Sequence, residues 1–335
     1  MSTTPTSSIW RGTTLLAVAA VVLMPVILPS PTLATEILIF ALAALASNLL
    51  LGYTGLLSFG QGVFFGAGSY CSALVMIHWH FGLFPALLVG ILAGAVTAFV
   101  IGALAIRRTG IYFVMLTLSF SQMAYFVAYT MSSVTGGDNG LLNVPRPPVS
   151  VLGFELLSLA SPLVFYGFVA LLFLAVFVAA RRVIHSPFGS TLVAIRENEN
   201  RASAVGYDTR QFKVLAFVLS GAITGLAGAL YALLLNFVPL SNIELATSEH
   251  ILIMTIIGGT GSLLGSLLGA GSIVLLGDVL SALWPRWPML LGLALIAVVM
   301  FLRGGLWGGL LDLKNRLVRS PEPPQPDTRQ KDAAQ

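Results

Sequence analysis

The segment "VLAFVLSGAITGLAGALYALLL", residues 214–235, contains no charged side chain. An apolar helix of about 20 residues has the length needed to cross the hydrocarbon core of a bilayer. A second apolar run, "FYGFVALLFLAVFVAA" at residues 165–180, precedes it, and the chain between the two runs is strongly polar. This pattern predicts two membrane-spanning helices joined by a polar loop in water.

The composition of the whole chain extends this prediction. Of 335 residues, 57% are hydrophobic and only 9% are charged. A soluble domain carries about 25% charged residues, and a soluble core stops growing near roughly 250–300 residues. We therefore predict an all-α polytopic membrane protein. The apolar runs are continuous rather than alternating, which disfavours a membrane β-barrel, and the net charge of +4 requires no nucleic-acid partner.

Apolar runs of sufficient length recur along most of the chain. We predict a membrane domain over residues 13–303, between a cytoplasmic N-terminus at 1–12 and a cytoplasmic, largely disordered tail at 304–335. The predicted spans are residues 13–29, 36–51, 61–77, 84–106, 111–131, 162–180, 213–237, 250–283 and 288–302. Because Lys and Arg accumulate on the cytoplasmic side, the basic loop 181–213 is placed inside and the loop 132–161 is placed in the periplasm.

The segment 250–283 is too long for one upright helix. Its 34 residues would extend about 51 Å at 1.5 Å per residue, whereas the hydrocarbon core is about 30 Å thick. Since glycines interrupt it, we predict a short half-helix that turns at Gly258–Ser262, inside the bundle, and runs back out. The chain then makes about ten membrane passages, including broken or re-entrant helices.

A second glycine-rich interruption, "GYTGLLSFGQG", occupies residues 52–62. Paired interruptions in two halves of a chain are typical of duplicated transporters whose pathway lies at the breaks. The spacing of the glycine motifs differs by three residues between the two stretches. The sequence therefore leaves open whether the chain contains an internal repeat. The candidate pathway residues are Gly52, Gly55, Ser58, Gln61, Gly258, Gly259, Thr260, Gly261 and Ser262. Close helix packing also requires glycine, so the sequence leaves both roles open.

The polar loop has a helical pattern of its own. A short helix can be written from about Thr191 to Val205, with Glu197 and Arg201 as an i, i+4 pair in the favoured order. Gly206 follows as a helix-terminating glycine. A rigid polar helix between two spans is suited to pass a force from a soluble partner. A solvated loop with cytoplasmic positive charges is the alternative that spacing alone leaves open.

Signatures of catalysis are missing from the sequence. There is no G-x-x-x-x-G-K-[ST] phosphate loop, no G-x-S-x-G motif and no pair of carboxylates inside one span. His78 and His80 flank Trp79 at a predicted membrane boundary, which favours an interfacial aromatic belt over a metal site. We predict that the chain is not an enzyme and binds no metal or other cofactor itself. Asp278, near the outer end of its run, gives little support for ion coupling.

Four stretches resemble the LivM-type permease subunit of bacterial branched-chain amino acid ABC importers. They are "NLLLGYTGLLSFGQGVFFGAGSY" (48–70), "TGGDNGL" (135–141), "AIRENENRASAVGYDTRQFKVLAFVLSGAITGLAGALYA" (194–232) and "IIGGTGSLLGSLLGA" (256–270). The resemblance spans roughly residues 36–303. It implies a bacterial inner-membrane subunit that pairs with a second, LivH-type permease, two cytoplasmic ATPases that bind ATP, and a periplasmic substrate-binding protein.

The resemblance also assigns a role to the polar loop. The residues that it implies as ATPase contacts are Arg196, Glu197, Asn198, Arg201 and Gly206. The family often has an acidic pair where this chain reads Glu197, Asn198 and Glu199. The predicted function is ATP-driven import of branched-chain or other small amino acids. Importers of urea or short amides share the same signatures, and a stand-alone secondary carrier is the alternative from another class.

Overall fold

The computed structural model describes residues 6–151, 154–283, 286–301 and 304–310. The described chain is helical apart from one short hairpin, in which β1 (Val149–Val151) pairs antiparallel with β2 (Phe154–Leu157). The α-helices are α1 Thr6–Ile27, α2 Pro31–Asn48, α3 Gln61–Trp79, α4 Leu83–Ala105, α5 Ile111–Thr130, α6 Ser132–Thr135, α7 Pro162–Ile184, α8 Pro187–Glu197, α9 Glu199–Ala204, α10 Thr209–Leu235, α11 Leu245–Gly258, α12 Leu263–Leu283 and α13 Trp287–Phe301. A π-helix, Leu49–Thr54, continues α2.

Several helices have the length and apolarity of membrane spans. Among the described residues there are seven of these, namely Pro31–Thr54, Gln61–Trp79, Leu83–Ala105, Ile111–Thr130, Pro162–Ile184, Thr209–Leu235 and Leu263–Ala282. Two shorter apolar helices, Thr14–Ile27 and α11, accompany them. The prediction of a multi-pass helical membrane protein is confirmed. The count of about ten passages and the internal repeat stay predictions.

Helix α2 lies at the centre of the bundle. It is apolar on every side, and a helix of that kind is buried on every side. Its residues are buried almost without interruption from Ala34 to Asn48, and it packs against α7, α10, α11 and α12. The chain therefore folds around its second span.

Glycine brings α4 and α10 into backbone contact. A Cβ atom built on Gly221 would lie 2.5 Å from the carbonyl oxygen of Gly94, and one on Gly225 would lie 2.5 Å from that of Gly90. The pairs occur in opposite order along the two helices, which therefore run antiparallel. Small residues permit such close approach where no hydrophobic effect drives helices together in lipid.

The break predicted at Gly258–Ser262 separates α11 from α12. Gly259 and Gly261 have φ values of +115° and +85°, which L side chains rarely adopt. The expectation that the whole turn lies inside the bundle is wrong, since Thr260 and Gly261 are exposed. The reason is that Gly261 packs beside Gly52. Gly52 lies near the end of the Pro31–Thr54 span, whose 24 residues extend about 36 Å, so the turn lies at one end of the bundle.

The polar loop forms two helices, α8 and α9, instead of the single helix predicted. Asn198 is extended (φ −159°, ψ 100°), and its Oδ1 accepts the backbone N–H of Arg201 at 2.9 Å. Asn competes for backbone groups in this way, so it caps α9 and interrupts the helix. The expected Glu197–Arg201 pair is wrong, because the two residues lie in different helices and the described ion pair is Lys213–Glu199.

The predicted glycine terminator of the loop is confirmed. Gly206 has a φ of +100°. The N–H of Gly206 donates to the Ser203 carbonyl at 2.9 Å, and the N–H of Tyr207 donates to the Ala202 carbonyl at 3.3 Å. This pair of bonds is the Schellman motif that satisfies the last carbonyls of a helix. The end of α9 is therefore well defined.

Arg146 fastens the predicted periplasmic loop to α10. Its guanidinium donates to the carbonyl of Leu233 at 2.6 and 2.9 Å and to that of Leu234 at 2.9 Å, and it lies 4.5 Å from the centre of the Phe165 ring. The last carbonyls of a helix lack partners within the helix and carry a partial negative charge. An arginine therefore suits this position.

The predicted terminal segments lie partly outside the described residues. Residues 1–5 of the expected cytoplasmic N-terminus and 311–335 of the expected disordered tail are not described. The cytoplasmic location and the large share of disorder expected for that tail stay predictions. Residues 305–310 are helical, and Gly305 is buried where a Cβ atom would lie 2.5 Å from Gly259.

Candidate functional site

The two glycine interruptions meet in the structure. A Cβ atom built on Gly52 would lie 2.5 Å from the amide nitrogen of Gly261, so only glycine fits there. The hydroxyl of Tyr53 donates to the Gly261 carbonyl at 2.8 Å. The end of the second span is thereby joined to the turn between α11 and α12.

Asn48 joins the same two segments from inside the bundle. Its Nδ2 donates to the Ser262 carbonyl at 2.7 Å and to the Ser266 hydroxyl at 3.1 Å, and its Oδ1 accepts the Gly261 N–H at 2.8 Å. The side chain is fully buried. Sequence reasoning missed this residue. A carboxamide inside an apolar run was the available signal, because a buried amide must find partners.

Arg196 connects the polar loop to this junction. Its guanidinium donates to the backbone carbonyl of Gly52. A Cβ atom on Gly55 would lie 3.0 Å from Cγ of Arg196, and Gly55 has a φ of +72°. One arginine of the loop therefore contacts the first interruption, which in turn contacts the second.

Gln61 and Ser58, also predicted as pathway residues, are buried and hydrogen-bonded. Nε2 of Gln61 donates to the Ser220 hydroxyl at 3.0 Å, and Thr224 donates to its Oε1 at 2.7 Å. The hydroxyl of Ser58 accepts the Gly60 N–H at 3.1 Å. These contacts connect α3 and the preceding loop to the neighbouring structure. Passage of solute beside them stays a prediction.

The remaining predicted pathway residues lie at the α11–α12 turn. Gly258 and Gly259 are buried, Thr260 is exposed and Ser262 is half-buried. A Cβ atom on Gly259 would lie 2.5 Å from the carbonyl of Gly304. The structure thus gives these glycines a packing role, and a pathway role for them stays a prediction.

The five loop residues implied as ATPase contacts are all exposed. They are Arg196, Glu197, Asn198, Arg201 and Gly206. Two apolar neighbours, Val205 and Tyr207, are 74% and 46% exposed, although they lie in a polar loop rather than in a span. Exposed apolar groups of this kind often mark a contact surface. Sequence reasoning did not select these two residues.

An ion pair between a buried lysine and a half-buried glutamate holds the loop to α10. Nζ of Lys213 lies 2.6 Å from Glu199, and the Lys213 side chain is only 6% exposed. The hydroxyl of Thr209 donates to the same carboxylate at 3.2 Å. A buried charge without its partner is strongly destabilising. Because Glu199 begins α9 and Lys213 lies in α10, the loop is fixed to the following span.

A cavity of about 360 Å³ lies between α2, α11 and α12, away from the polar loop. Glu36, His250 and Asp278 line it together with apolar residues such as Phe40. From the sequence, solvated positions near span ends explain Glu36 and Asp278, and a place for Asp278 on the solute pathway stays open. Among the described residues, no three His, Cys, Asp or Glu side chains are grouped to hold a metal ion.

Long apolar helices, buried neutral hydrogen bonds and a rigid polar loop between two spans define a multi-pass helical membrane protein. Residues 31–304 match the family described as the permease component of the branched-chain amino acid transport system. The chain belongs to that family.

Relatives of known assignment agree with the family. The chain is 29% identical to LivM of Escherichia coli (strain K12), a high-affinity branched-chain amino acid transport system permease protein, over 71% of this chain and 60% of that protein. It is 28% identical to a probable LivH of Methanocaldococcus jannaschii over 68% of this chain and 73% of the relative. It is 29% identical to the autoinducer 2 import system permease protein LsrC of Escherichia coli O9:H4 (strain HS) over 44% of this chain and 46% of that protein. No solved structure matches the chain.

Proposed function

We propose that this chain is a membrane subunit of an ATP-driven importer that translocates branched-chain or other small amino acids. The family and the LivM relative support the class of solute. The observation that carries the proposal is the contact of Arg196, in an exposed loop, with Gly52 at the junction of both helix interruptions. A transporter powered from outside its own chain needs such a mechanical connection.

The proposal includes the partners that the family resemblance implies. Two cytoplasmic ATPases hydrolyse ATP, and one of them docks on the exposed surface of α8 and α9, including Val205 and Tyr207. A second, LivH-type permease completes the membrane part, and a periplasmic protein delivers the solute. The subunit lies in the bacterial inner membrane with both termini in the cytoplasm, and the distribution of Lys and Arg supports this orientation.

The mechanism begins at the loop. The ion pair Lys213–Glu199 and the Arg196 contact hold the loop to α10 and to the end of the second span. A partner that moves the loop therefore displaces Gly52, and with it the α11–α12 turn packed on Gly261. Backbone shifts at this junction change access for the solute, and the junction residues that move, Asn48, Gly52 and Gly261, are neutral.

Other solutes remain alternatives within the same class. Importers of urea or short amides share the sequence signatures, and the LsrC relative carries the name of a different solute, autoinducer 2. A secondary carrier is the alternative from another class. Ion-coupled carriers usually hold ionisable groups at membrane depth. In this chain Glu36 and Asp278 lie near the ends of their spans, and the buried hydrogen bonds of Asn48 and Gln61 are made by neutral groups.

Transport in proteoliposomes tests the proposal. The chain is co-expressed with ATPase, permease and binding-protein genes chosen from its own genome, and uptake of radioactive leucine is measured. We expect uptake that requires ATP on the cytoplasmic side and the binding protein on the other. If the chain reconstituted alone accumulates solute on a pH or sodium gradient, the proposal is wrong and the carrier alternative holds.

A further inference from the structure

The cavity between α2, α11 and α12 has the size of a ligand-binding site. Its volume is about 360 Å³, and small-molecule sites in proteins are clefts of about 300–1,000 Å³ with a few polar groups in an apolar lining. The three helices pack directly against one another. The walls of the cavity therefore come from this chain, and the transport mechanism proposed above does not use them.

The cavity changes from polar to apolar over one helical turn. Each of the three helices contributes a polar residue and, four residues closer to the α11–α12 turn, an apolar one. The pairs are Glu36 and Phe40 on α2, His250 and Met254 on α11, and Asp278 and Val274 on α12. Four residues rise about 6 Å in a helix. The polar level, formed by the first member of each pair, is thus about 6 Å from the apolar floor, formed by the second.

The polar level carries negative charge without a basic partner. Glu36 and Asp278 are close enough for their carboxylates to repel each other. The lining contains no Lys or Arg, and within the described residues neither carboxylate belongs to an ion pair. Like charges that share a site are disfavoured unless a cation or a proton compensates them. The polar level therefore suits a positively charged group.

Neighbouring contacts hold the lining in place. The hydroxyl of Tyr231, on α10, donates to the Glu36 carboxylate. The Tyr231 ring also lies 5.4 Å from that of Phe40, edge to face, and Met254 is only 3% exposed. Asp278, by contrast, is exposed. The cavity is thus pre-formed, and it opens beside Asp278.

This lining selects among cations. A metal ion is unsuited, because the described residues do not group three His, Cys, Asp or Glu side chains for coordination. A lipid ammonium group is also unsuited, since the acyl chains lie beyond the phosphate and cannot fill a floor that is deeper than the ammonium. An amino acid would bring its own carboxylate beside Glu36 and Asp278, which would repel it. A simple aliphatic amine meets none of these obstacles.

We propose that this cavity binds a primary ammonium ion that carries a short aliphatic chain. The ammonium group lies at the polar level, where its three N–H groups donate to the carboxylates, and the chain fills the apolar floor. An extended chain advances about 1.2 Å per bond, so about four or five carbon atoms cover the distance between the two levels. The site goes beyond the proposed import function and does not depend on it.

Ligand titrations by saturation-transfer NMR test the site. The full chain, purified with its partner subunits, is placed in phosphatidylcholine nanodiscs near neutral pH. The probe is 3-methylbutylamine, which is protonated under these conditions as the lysine side chain is. Its neutral match is 3-methylbutan-1-ol, and leucine is the same amine with a carboxylate added. Because charged hydrogen bonds are about twice as strong as neutral ones, we expect at least about tenfold more of either compound than of the amine itself to be needed to displace bound amine.

Two substitutions test the carboxylates. Glu36→Gln and Asp278→Asn each remove one charge with little change in volume, and each is expected to weaken amine binding about tenfold or more. Glu249→Gln is the matched control, because Glu249 is an exposed acid next to His250 that does not line the cavity. Its affinity for the amine should equal that of the wild type. The two test variants lie on different helices, so a folding defect in one leaves the other informative.

Three results would overturn the proposal. They are equal displacement by the amine and the alcohol, equal displacement by the amine and leucine, and equal affinities of Glu36→Gln, Asp278→Asn and the Glu249→Gln control. Nanodiscs of phosphatidylethanolamine then distinguish the two sources of an ammonium group. Equal amine affinity in both lipids supports a soluble amine, whereas a tenfold loss in phosphatidylethanolamine would assign the cavity to the lipid head group and overturn the amine ligand. None of these measurements requires transport, so a failure of ATP-driven uptake would reject the proposed function alone.

Discussion

Asn48 shows how a single carboxamide can organise a membrane-embedded junction. It makes three hydrogen bonds to the segment that follows α11, at Gly261, Ser262 and Ser266. Replacing both partners of a buried hydrogen bond by apolar groups can leave stability nearly unchanged. Removing only one partner leaves the other buried without a hydrogen bond, which is destabilising. The consequence is that the junction depends on this side chain as well as on the glycines beside it.

We expect Asn48→Leu to destabilise the subunit by about 1–3 kcal/mol, because the Gly261 N–H and the Ser262 carbonyl lose their partner. Thermal unfolding of the purified complex in detergent measures the effect. Ser266→Ala serves as the graded control, since it removes only the longest of the three bonds. A melting temperature of Asn48→Leu equal to that of the wild type would show that the junction is held by packing alone.

Arg196 should matter for transport more than for assembly. A hydrogen bond from a charged donor contributes about 1.5–3 kcal/mol, so its loss in Arg196→Ala is expected to reduce uptake roughly tenfold or more. Uptake and ATPase co-purification are measured together. Arg210→Ala is the matched control, because Arg210 is exposed and makes a single long contact of 3.4 Å. Equal uptake in the two variants would contradict the role given to Arg196.

At the residue scale, the sequence predicted part of this site. Glycines and an exposed polar loop are visible as local patterns, and Arg196, Gly52 and Gly261 were all selected. Asn48 and the Lys213–Glu199 pair were missed, because their partners lie far away in sequence or beyond a helix break. Long-range pairing leaves no periodic signal in a single chain.

At the scale of elements, the break at Asn198 separates α8 from α9. We expect Asn198→Ala to cost about 1 kcal/mol of helix stability, because the N-cap acceptor of α9 is lost. Hydrogen exchange of the amides from Glu199 to Ala204 should speed up accordingly. Asn198→Asp keeps an oxygen acceptor at the cap and should retain slow exchange. Fast exchange in both variants would show that the cap does not hold α9.

Helix packing around α10 gives a second element-scale prediction. Gly225→Ala should lower stability by about 1–3 kcal/mol, because the new methyl group overpacks the contact with Gly90. Gly167→Ala in α7 is the control, since nothing lies within 4 Å of a Cβ atom there. That control should be neutral or slightly stabilising. The yield of folded protein in detergent, measured by fluorescence-detected size-exclusion chromatography, distinguishes the two variants. Equal yields of the two variants would argue against backbone contact between α4 and α10.

Most elements could be predicted from the apolar runs and from the glycines that interrupt or end them. The predicted spans fall on α1 to α5, α7 and α10 to α13 within a few residues of their observed ends, apart from seven residues at the start of α1. The division of the loop at Asn198 and the hairpin of β1 and β2 were not predicted. Both depend on local hydrogen bonding that apolar periodicity does not report.

At the scale of the whole molecule, the predicted orientation can be measured directly. Ser133→Cys in α6 and Ser203→Cys in α9 are both exposed positions. In a Cys71→Ser background, an impermeant maleimide added to spheroplasts should label the first variant at once and the second only after lysis, because basic residues mark the cytoplasmic side. The opposite labelling pattern would invert the orientation and remove the loop from the reach of ATP.

Helix α10 covers about 30 Å between Lys213, in the ion pair with Glu199, and Leu233, whose carbonyl accepts from Arg146. One helix is thus anchored near both ends to polar segments that connect the apolar spans. A tilt imposed at either end displaces the other, so a protein docked on one face of the membrane and a nucleotide-loaded motor on the opposite face would sense each other through a single helix. Thermodynamic reciprocity then requires each to alter the affinity of the other by the same factor.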